Sequence, residues 1–152
     1  MIKITRSRDY KAIRDLVTDP AVFPFVADDF VPRPELWEPP ESDLIHYLLA
    51  SDDQSCFGFA VFMPRTHTCY EAHIGFLPRS YGAIAIAAFK EMLDWMWANT
   101  TAVRIVGEIA QENRKAIKFA VGAGFEPYGV NSKSILRDGV LHDQLCLGIS
   151  RP

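Results

Sequence analysis

No stretch of the chain reaches the roughly 18 apolar residues that a membrane-spanning helix needs. The N-terminal MIKITRSRDY also lacks the apolar centre of a secretory signal. Cysteine is scarce: Cys56, Cys69 and Cys146 are the only three, they are widely spaced, and no C-x-x-C pair occurs. An odd count at such spacing supports neither a disulfide framework nor a zinc site. All three lie in apolar, strand-like runs and read as buried free thiols. A cytoplasmic protein with no membrane partner is the resulting expectation. Neither sign of charge dominates, because 16 Lys and Arg face 19 Asp and Glu for a net charge of −3. That balance supplies no basic face for nucleic acid, although it does not forbid a phosphate held locally. Repeats and low-complexity tracts are missing. So is G-x-S-x-G, and no second histidine or cysteine stands at ligand spacing from His142 and Asp143. No metal is expected, and Asp143 reads as a turn or loop anchor.

What is present is ordinary globular material: 152 residues, 49% hydrophobic and 23% charged. One domain spanning residues 1–152 is expected, long enough to bury about two thirds of its unfolded surface. Ile2 and Ile4 alternate with polar residues as a short strand. Ser7 suits an N-cap, followed by a helical stripe of Tyr10, Ile13, Leu16 and Val17 that stops at Asp19-Pro20. A short strand is expected at His46–Ala50 and a clear one at Ser55–Met63, with a turn at 64–68. Along Cys69–Leu77, Tyr70, Ala72, Ile74 and Phe76 share one face, and Glu71, His73 and Gly75 share the other. Ala83–Asn99 is the strongest helix, with Ile86, Phe89, Leu93, Met96 and Trp97 at helical spacing. Val103–Ile109 reads as a strand. Asn113–Ala123 reads as a helix with Ala116, Ile117, Ala120 and Val121 inward. Phe125–Lys133 and Gln144–Ile149 then close the sheet around the turn Arg137-Asp138-Gly139. Strands and helices in this order give an α/β, mixed-sheet architecture.

Residues 20–40 differ from the rest. Six of the ten prolines fall here: Pro20, Pro24, Pro32, Pro34, Pro39 and Pro40. Proline removes backbone donors and fixes φ, so the segment is neither a central strand nor a long helix. With Phe23, Phe25, Phe30 and Trp37 it reads as an ordered loop packed on the body, either a binding loop or a surface wrap.

Three local stretches together resemble the GNAT superfamily of acetyl-coenzyme-A-dependent N-acetyltransferases, over about residues 55 to 150. The first is Ile74-Gly75-Phe76-Leu77-Pro78-Arg79-Ser80-Tyr81-Gly82-Ala83, similar to the junction where a strand ends at proline and a glycine-containing loop opens a long helix. The second is the segment Val103–Phe125, in which Asn113 starts a helix that ends in Gly124-Phe125. The third, Asp138-Gly139 with Asp143 before a closing strand, resembles the tail of the ribosomal-protein N-terminal acetyltransferase type. GNAT-like proteins encoded by bacteriophages are also faintly similar. The resemblance implies a mixed central sheet of six to seven strands flanked by about four helices. It implies acetyl-coenzyme A as co-substrate and a small-molecule or protein amine as acceptor, in a monomer or homodimer. The alternative is a GNAT-fold module that binds without catalysing.

A helix N-terminus holds anions whatever the family, because its N–H groups are free and its dipole end is positive. In the family this loop grips the pyrophosphate, which implies cofactor contacts from Arg79, Tyr81, Gly82 and Ala83. The family's arginine falls at Tyr81, and two of its small positions fall at Ile84 and Ile86. Asn113 is implied to meet the pantetheine arm or to act as a plain N-cap. Acetyl transfer needs a base for the amine, a donor for the thioester oxygen and a proton for the leaving thiolate. The implied oxyanion donor is a backbone N–H near Phe76 or Leu77. Glu71, with His73 on its face, is the base candidate, and Glu108 on the next strand is the alternative. The family's thiolate-protonating tyrosine falls at Ala120, leaving Tyr128, Tyr81 and Ser132 as stand-ins.

Overall fold

The computed structural model describes residues 1–152, in which seven strands share one sheet. In chain order the elements are β1 (Lys3–Ser7), α1 (Tyr10–Val17), α2 (Phe23–Val26), β2 (His46–Ser51), β3 (Cys56–Pro64), β4 (Cys69–Phe76), α3 (Ala83–Asn99), β5 (Arg104–Ala110), α4 (Arg114–Gly122), β6 (Glu126–Arg137) and β7 (Val140–Ser150). One 3₁₀ turn, Pro78–Ser80, joins β4 to α3. The strand order is β1-β2-β3-β4-β5-β7-β6. Every neighbouring pair is antiparallel except β4 and β5. That parallel pair needs a crossover, and α3 supplies it. The architecture is the mixed α/β sheet with four helices expected from the sequence.

Period-two alternation sorts the strands onto two faces. Leu48, Ala60, Phe62, Tyr70, Phe76 and Ile105 meet Phe89, Met92, Leu93 and Met96 of α3 in a cluster of 20 buried residues. Phe89 stacks between Phe62 and Phe125, with centroids 6.4 and 5.7 Å away. On the opposite face Tyr47, Phe59 and Val61 meet Ile13, Leu16 and Val17 of α1 and Phe23 of α2 in a smaller cluster of 8. Gly58 and Gly75 allow aromatic rings to lie across the strands. A Cβ on Gly58 would sit 2.2 Å from the Phe76 ring, and one on Gly75 would sit 2.4 Å from the Phe59 ring.

Several sequence expectations shift. Asp9, not Ser7, caps α1, its Oδ1 accepting from the Ala12 N–H at 3.0 Å. Ser7 ends β1, and its hydroxyl accepts from the Asp9 N–H at 3.1 Å. Both are capping residue types, but Asp9 is the one three residues before an unpaired helical donor. On α4, Val121 is exposed, and Phe119 packs inward 5.7 Å from both Phe76 and Phe89. β6 and β7 run longer than expected because Asp138 (φ 51) and Gly139 (φ 74) form a two-residue turn. Such a turn matches strand twist, so pairing starts at once with Arg137 opposite Val140. All three cysteines are free as expected, but only Cys146 is buried, while Cys56 and Cys69 are half-buried. In the 20–40 segment Phe23 is buried, while Phe25 and Phe30 are exposed. Arg14 pins this loop by donating to the carbonyls of Pro34 and Glu35 at 3.0 and 3.2 Å. The Tyr47 hydroxyl pins it further by donating to the Pro40 carbonyl at 2.6 Å. No helix is long and apolar enough to cross a membrane.

Candidate active site

The parallel strands stay together for only three residue pairs: Cys69 with Arg104, Tyr70 with Ile105 and Glu71 with Val106. Past Glu71, β4 remains paired to β3 as far as Phe76, and β5 remains paired to β7 as far as Ala110. The sheet therefore opens between two intact ladders. The Leu77 N–H is donated to the Phe57 carbonyl at 2.8 Å. Antiparallel residues alternate the side to which their backbone groups point, so the Phe76 N–H faces the opening. Gly107 borders the opening from β5, with the Ala72 carbonyl 3.7 Å from where its Cβ would stand.

A cavity of about 550 Å³ occupies this region. Its wall includes Ala72, Ile74, Ile109, Ala116 and Ala120 from the α3/α4 side of the sheet, and Val61, Glu71, His73 and Glu108 from the α1/α2 side. A single cavity reaches both faces only because β4 and β5 separate. The proline-rich loop contributes Phe23, Val31, Trp37 and Pro40. A strap crosses the outer side. Asp29 donates its N–H to the Leu136 carbonyl at 3.0 Å, and its carboxylate accepts from the Asp138 and Gly139 N–H groups at 2.9 Å each. Arg137 adds a bond to the Phe25 carbonyl at 3.2 Å.

Glu71 and Glu108 share this floor and are joined by Arg65, which leaves the β3–β4 turn. Its Nε donates to Glu71 at 2.8 Å and its terminal nitrogen to Glu108 at 3.4 Å. His73 Nε2 lies 3.3 Å from the other Glu71 oxygen. The contact to His73, helped by the Arg65 charge, holds the Glu71 carboxyl below its usual range despite partial burial. Glu71 is therefore a carboxylate at neutral pH. The other Glu108 oxygen accepts from the Asn131 amide at 3.3 Å. Burial pushes the Tyr47 hydroxyl, on the same wall, up to about 12, so it keeps its proton.

The N-terminus of α3 is open. Gly82 caps it at φ 86, with nothing within 4 Å of a Cβ position, and Tyr81, Gly82, Ala83 and Ile84 are all exposed. Ile84 points outward, whereas Ile86 turns to α4, its Cδ1 lying 3.1 Å from a Cβ placed on Gly122. Arg79 is engaged elsewhere: it pairs with Asp52 at 2.6 Å, reaches the Ser55 hydroxyl at 2.9 Å and lies over the Phe57 ring. Asn113 caps α4, its side chain accepting from the Ala116 N–H at 3.2 Å, and also lines the cavity. Tyr81, Tyr128 and Ser132 do not line it. Tyr128 stacks on the Arg104 guanidinium, and the Ser132 hydroxyl points to Asp143. Asp143 also accepts from the Lys133 N–H at 2.8 Å, which fixes a positive-φ kink in β6. It is a strand residue that anchors this kink, not a turn or loop.

Sequence reasoning singled out neither Arg65 nor Asp29. Arg65 lies six residues before Glu71 across a turn, a spacing that brings hairpin residues together, but its link to Glu108 depends on the parallel register. The Asp29 strap carries no sequence signal, because its partners are backbone groups more than 100 residues away.

No protein-family model and no curated protein sequence matches the chain. Solved structures do. Spermidine N-acetyltransferase from Vibrio cholerae, in complex with CoA and spermine, superposes with a TM-score of 0.75 at 18% identity, over 98% of this chain and 95% of that one. Ribosomal-protein-S5-alanine acetyltransferase from Vibrio fischeri gives a TM-score of 0.71 at 16% identity, over 99% and 94%. The chain therefore has the GNAT fold of these N-acetyltransferases along its whole length.

Proposed function

We propose that the protein transfers the acetyl group of acetyl-coenzyme A to a primary amine. The observation that carries this reading is the cavity that passes through the sheet where β4 and β5 part. Small side chains line it on one face and carboxylates on the other. The Vibrio cholerae protein with the same fold is in complex with CoA and spermine, which supports the same ligand class here.

The residues present fit the co-substrate. The exposed first turn of α3, opened by Gly82 and flanked by Tyr81 and Ala83, would hold the pyrophosphate through backbone N–H groups and the helix dipole. Arg79 would join them by leaving Asp52. Asn113, Ala116 and Ala120 would accommodate the pantetheine arm. When bound, acetyl-coenzyme A supplies an activated acyl thioester. The Phe76 N–H donates toward the opening, where negative charge develops on the carbonyl oxygen, while the Leu77 N–H is spent on Phe57.

Amines enter protonated and must lose that proton before attack. Glu71 and Glu108 attract the ammonium. Glu71 relays the proton through water, and the half-exposed His73 beside it passes the proton to solvent. Ala120 leaves the thiolate without an adjacent phenol, so water reaching the opening protonates it. The three free thiols support a reducing compartment as its place of work.

Amine-dependent release of the coenzyme A thiol tests this reading. Glu71→Gln should lower the rate about a hundredfold, the usual weight of a general base, with acetyl-coenzyme A affinity unchanged. Undiminished turnover would remove Glu71 from the mechanism. Tight co-substrate binding with no thiol release for any amine would favour a binding module.

A further inference from the structure

We infer that the acceptor is a primary monoamine on an apolar, ring-sized body rather than a polyamine or a polypeptide. This rests on the acetyltransferase reading and concerns the acceptor end of the same cavity. At the sheet floor the only carboxylates are Glu71 and Glu108, and Arg65 already contacts both, at 2.8 and 3.4 Å. Two negative charges against one guanidinium leave room for one ammonium.

Away from the floor the wall turns apolar. Phe23, Val26, Val31, Trp37, Phe59 and Val61 form it. The charged side chains on that wall are Asp28 and Arg137. Asp28 Oδ1 accepts from the Phe30 and Val31 N–H groups at 2.9 and 3.2 Å, and its one negative charge is matched in number by the one positive charge of Arg137 on the same wall. Arg137 pairs with no carboxylate; it bonds the Phe25 carbonyl, and its Nε is buried without a partner. A second ammonium would sit against aromatic side chains on a wall with no net negative charge. Desolvating it there without a net counter-charge is costly. An apolar ring in the same place gains by burial.

Size and access point the same way. The cavity of about 550 Å³ must also admit the acyl end of the co-substrate. The strap between residues 25–29 and 136–139 crosses its outer side, which narrows the way in for a polypeptide chain.

Phenethylamine and spermidine are the probes. Each is titrated calorimetrically into the protein with and without coenzyme A, and kcat/KM for each is read by thiol release. Phenethylamine should exceed spermidine by about tenfold or more in kcat/KM, a discrimination that an apolar pocket supplies. Trp37→Ala should weaken phenethylamine and leave spermidine unchanged. Val31→Asp adds a carboxylate to the apolar wall and should shift the ratio toward spermidine, which mere loss of structure would not do. Equal or better use of spermidine, or a ratio unmoved by Val31→Asp, overturns the inference. If acetyl-coenzyme A does not bind, the transferase reading fails by itself. Phenethylamine heat that Trp37→Ala removes would then still support the pocket, and its absence would overturn the pocket too.

Discussion

The two faces of the sheet are built to different ends. Under α3 the sheet is tightly packed, with Phe62, Phe119 and Phe125 each against Phe89 and with Met92 and Met96 fully buried in the same cluster. Under α1 and α2 the packed cluster is smaller and gives way to a cavity that holds charged groups. One face supplies cohesion, and the other keeps the space and the ionised groups that chemistry needs. The opening between β4 and β5 is where the two meet, so the site lies at the edge of the stronger core rather than inside it.

Substitutions on each face should separate these roles. Met92→Ala should cost about 2–5 kcal/mol in urea unfolding, because the tightly packed core cannot refill the space. Val31→Ala, on the cavity wall, should cost about 1 kcal/mol or less, because it removes partly exposed apolar surface beside existing space. Comparable losses at the two positions would erase the distinction.

Next in size is the strap. Asp29→Ala removes two backbone-to-carboxylate bonds and should cost about 1–2 kcal/mol. Hydrogen exchange should quicken at residues 136–139 and stay unchanged in α3. Exchange that rises evenly along the chain would show that the strap is not a local link.

Smaller still is a shift in pH response. Arg65→Leu removes a charge that helps hold the Glu71 carboxyl low, so the acid limb of kcat/KM should move to higher pH. An unmoved limb would mean that Arg65 does not tune Glu71.

The smallest effect belongs to the α3 face. His46 packs against Tyr70 and Trp95, and burial, with Arg6 and Arg8 nearby, lowers its pKa below the ordinary 6.5. The unfolded chain then binds the proton more readily than the folded one. Its stabilising contribution is complete above the unfolded value and declines as pH falls through 6.5 toward the folded value. His46→Gln should flatten that part of the stability–pH curve, as read by urea unfolding at several pH values. An unchanged slope would reassign the acid sensitivity to other groups.

The sequence was most readable where local physics decides the outcome. The bounds of α3, Ala83–Asn99, coincide with its apolar spacing, and the Asp138-Gly139 turn is written in residues that tolerate positive φ. Alternation along β4 placed Glu71 and His73 on one face, where the structure brings them to 3.3 Å. Legibility failed where partners are distant. Val121 and Phe119 both suit an inward stripe on α4, and only the aromatic cluster at Phe76 and Phe89 decides between them. Arg79 reads as a spare cation beside the α3 loop, but Asp52 claims it from the β2–β3 turn. Arg65 joins two carboxylates on different strands, and the parallel register that sets them side by side appears nowhere in local sequence.

Calorimetric titration with acetyl-coenzyme A, with coenzyme A as control, tests the central claim most directly. The wild-type protein should bind in the micromolar range. Gly82→Asp should bind at least about tenfold more weakly, because it places a negative charge at the open end of α3 and an L side chain at φ 86. No heat and no thermal shift at millimolar ligand would contradict the account, and the opening between β4 and β5 would then not be a coenzyme A site.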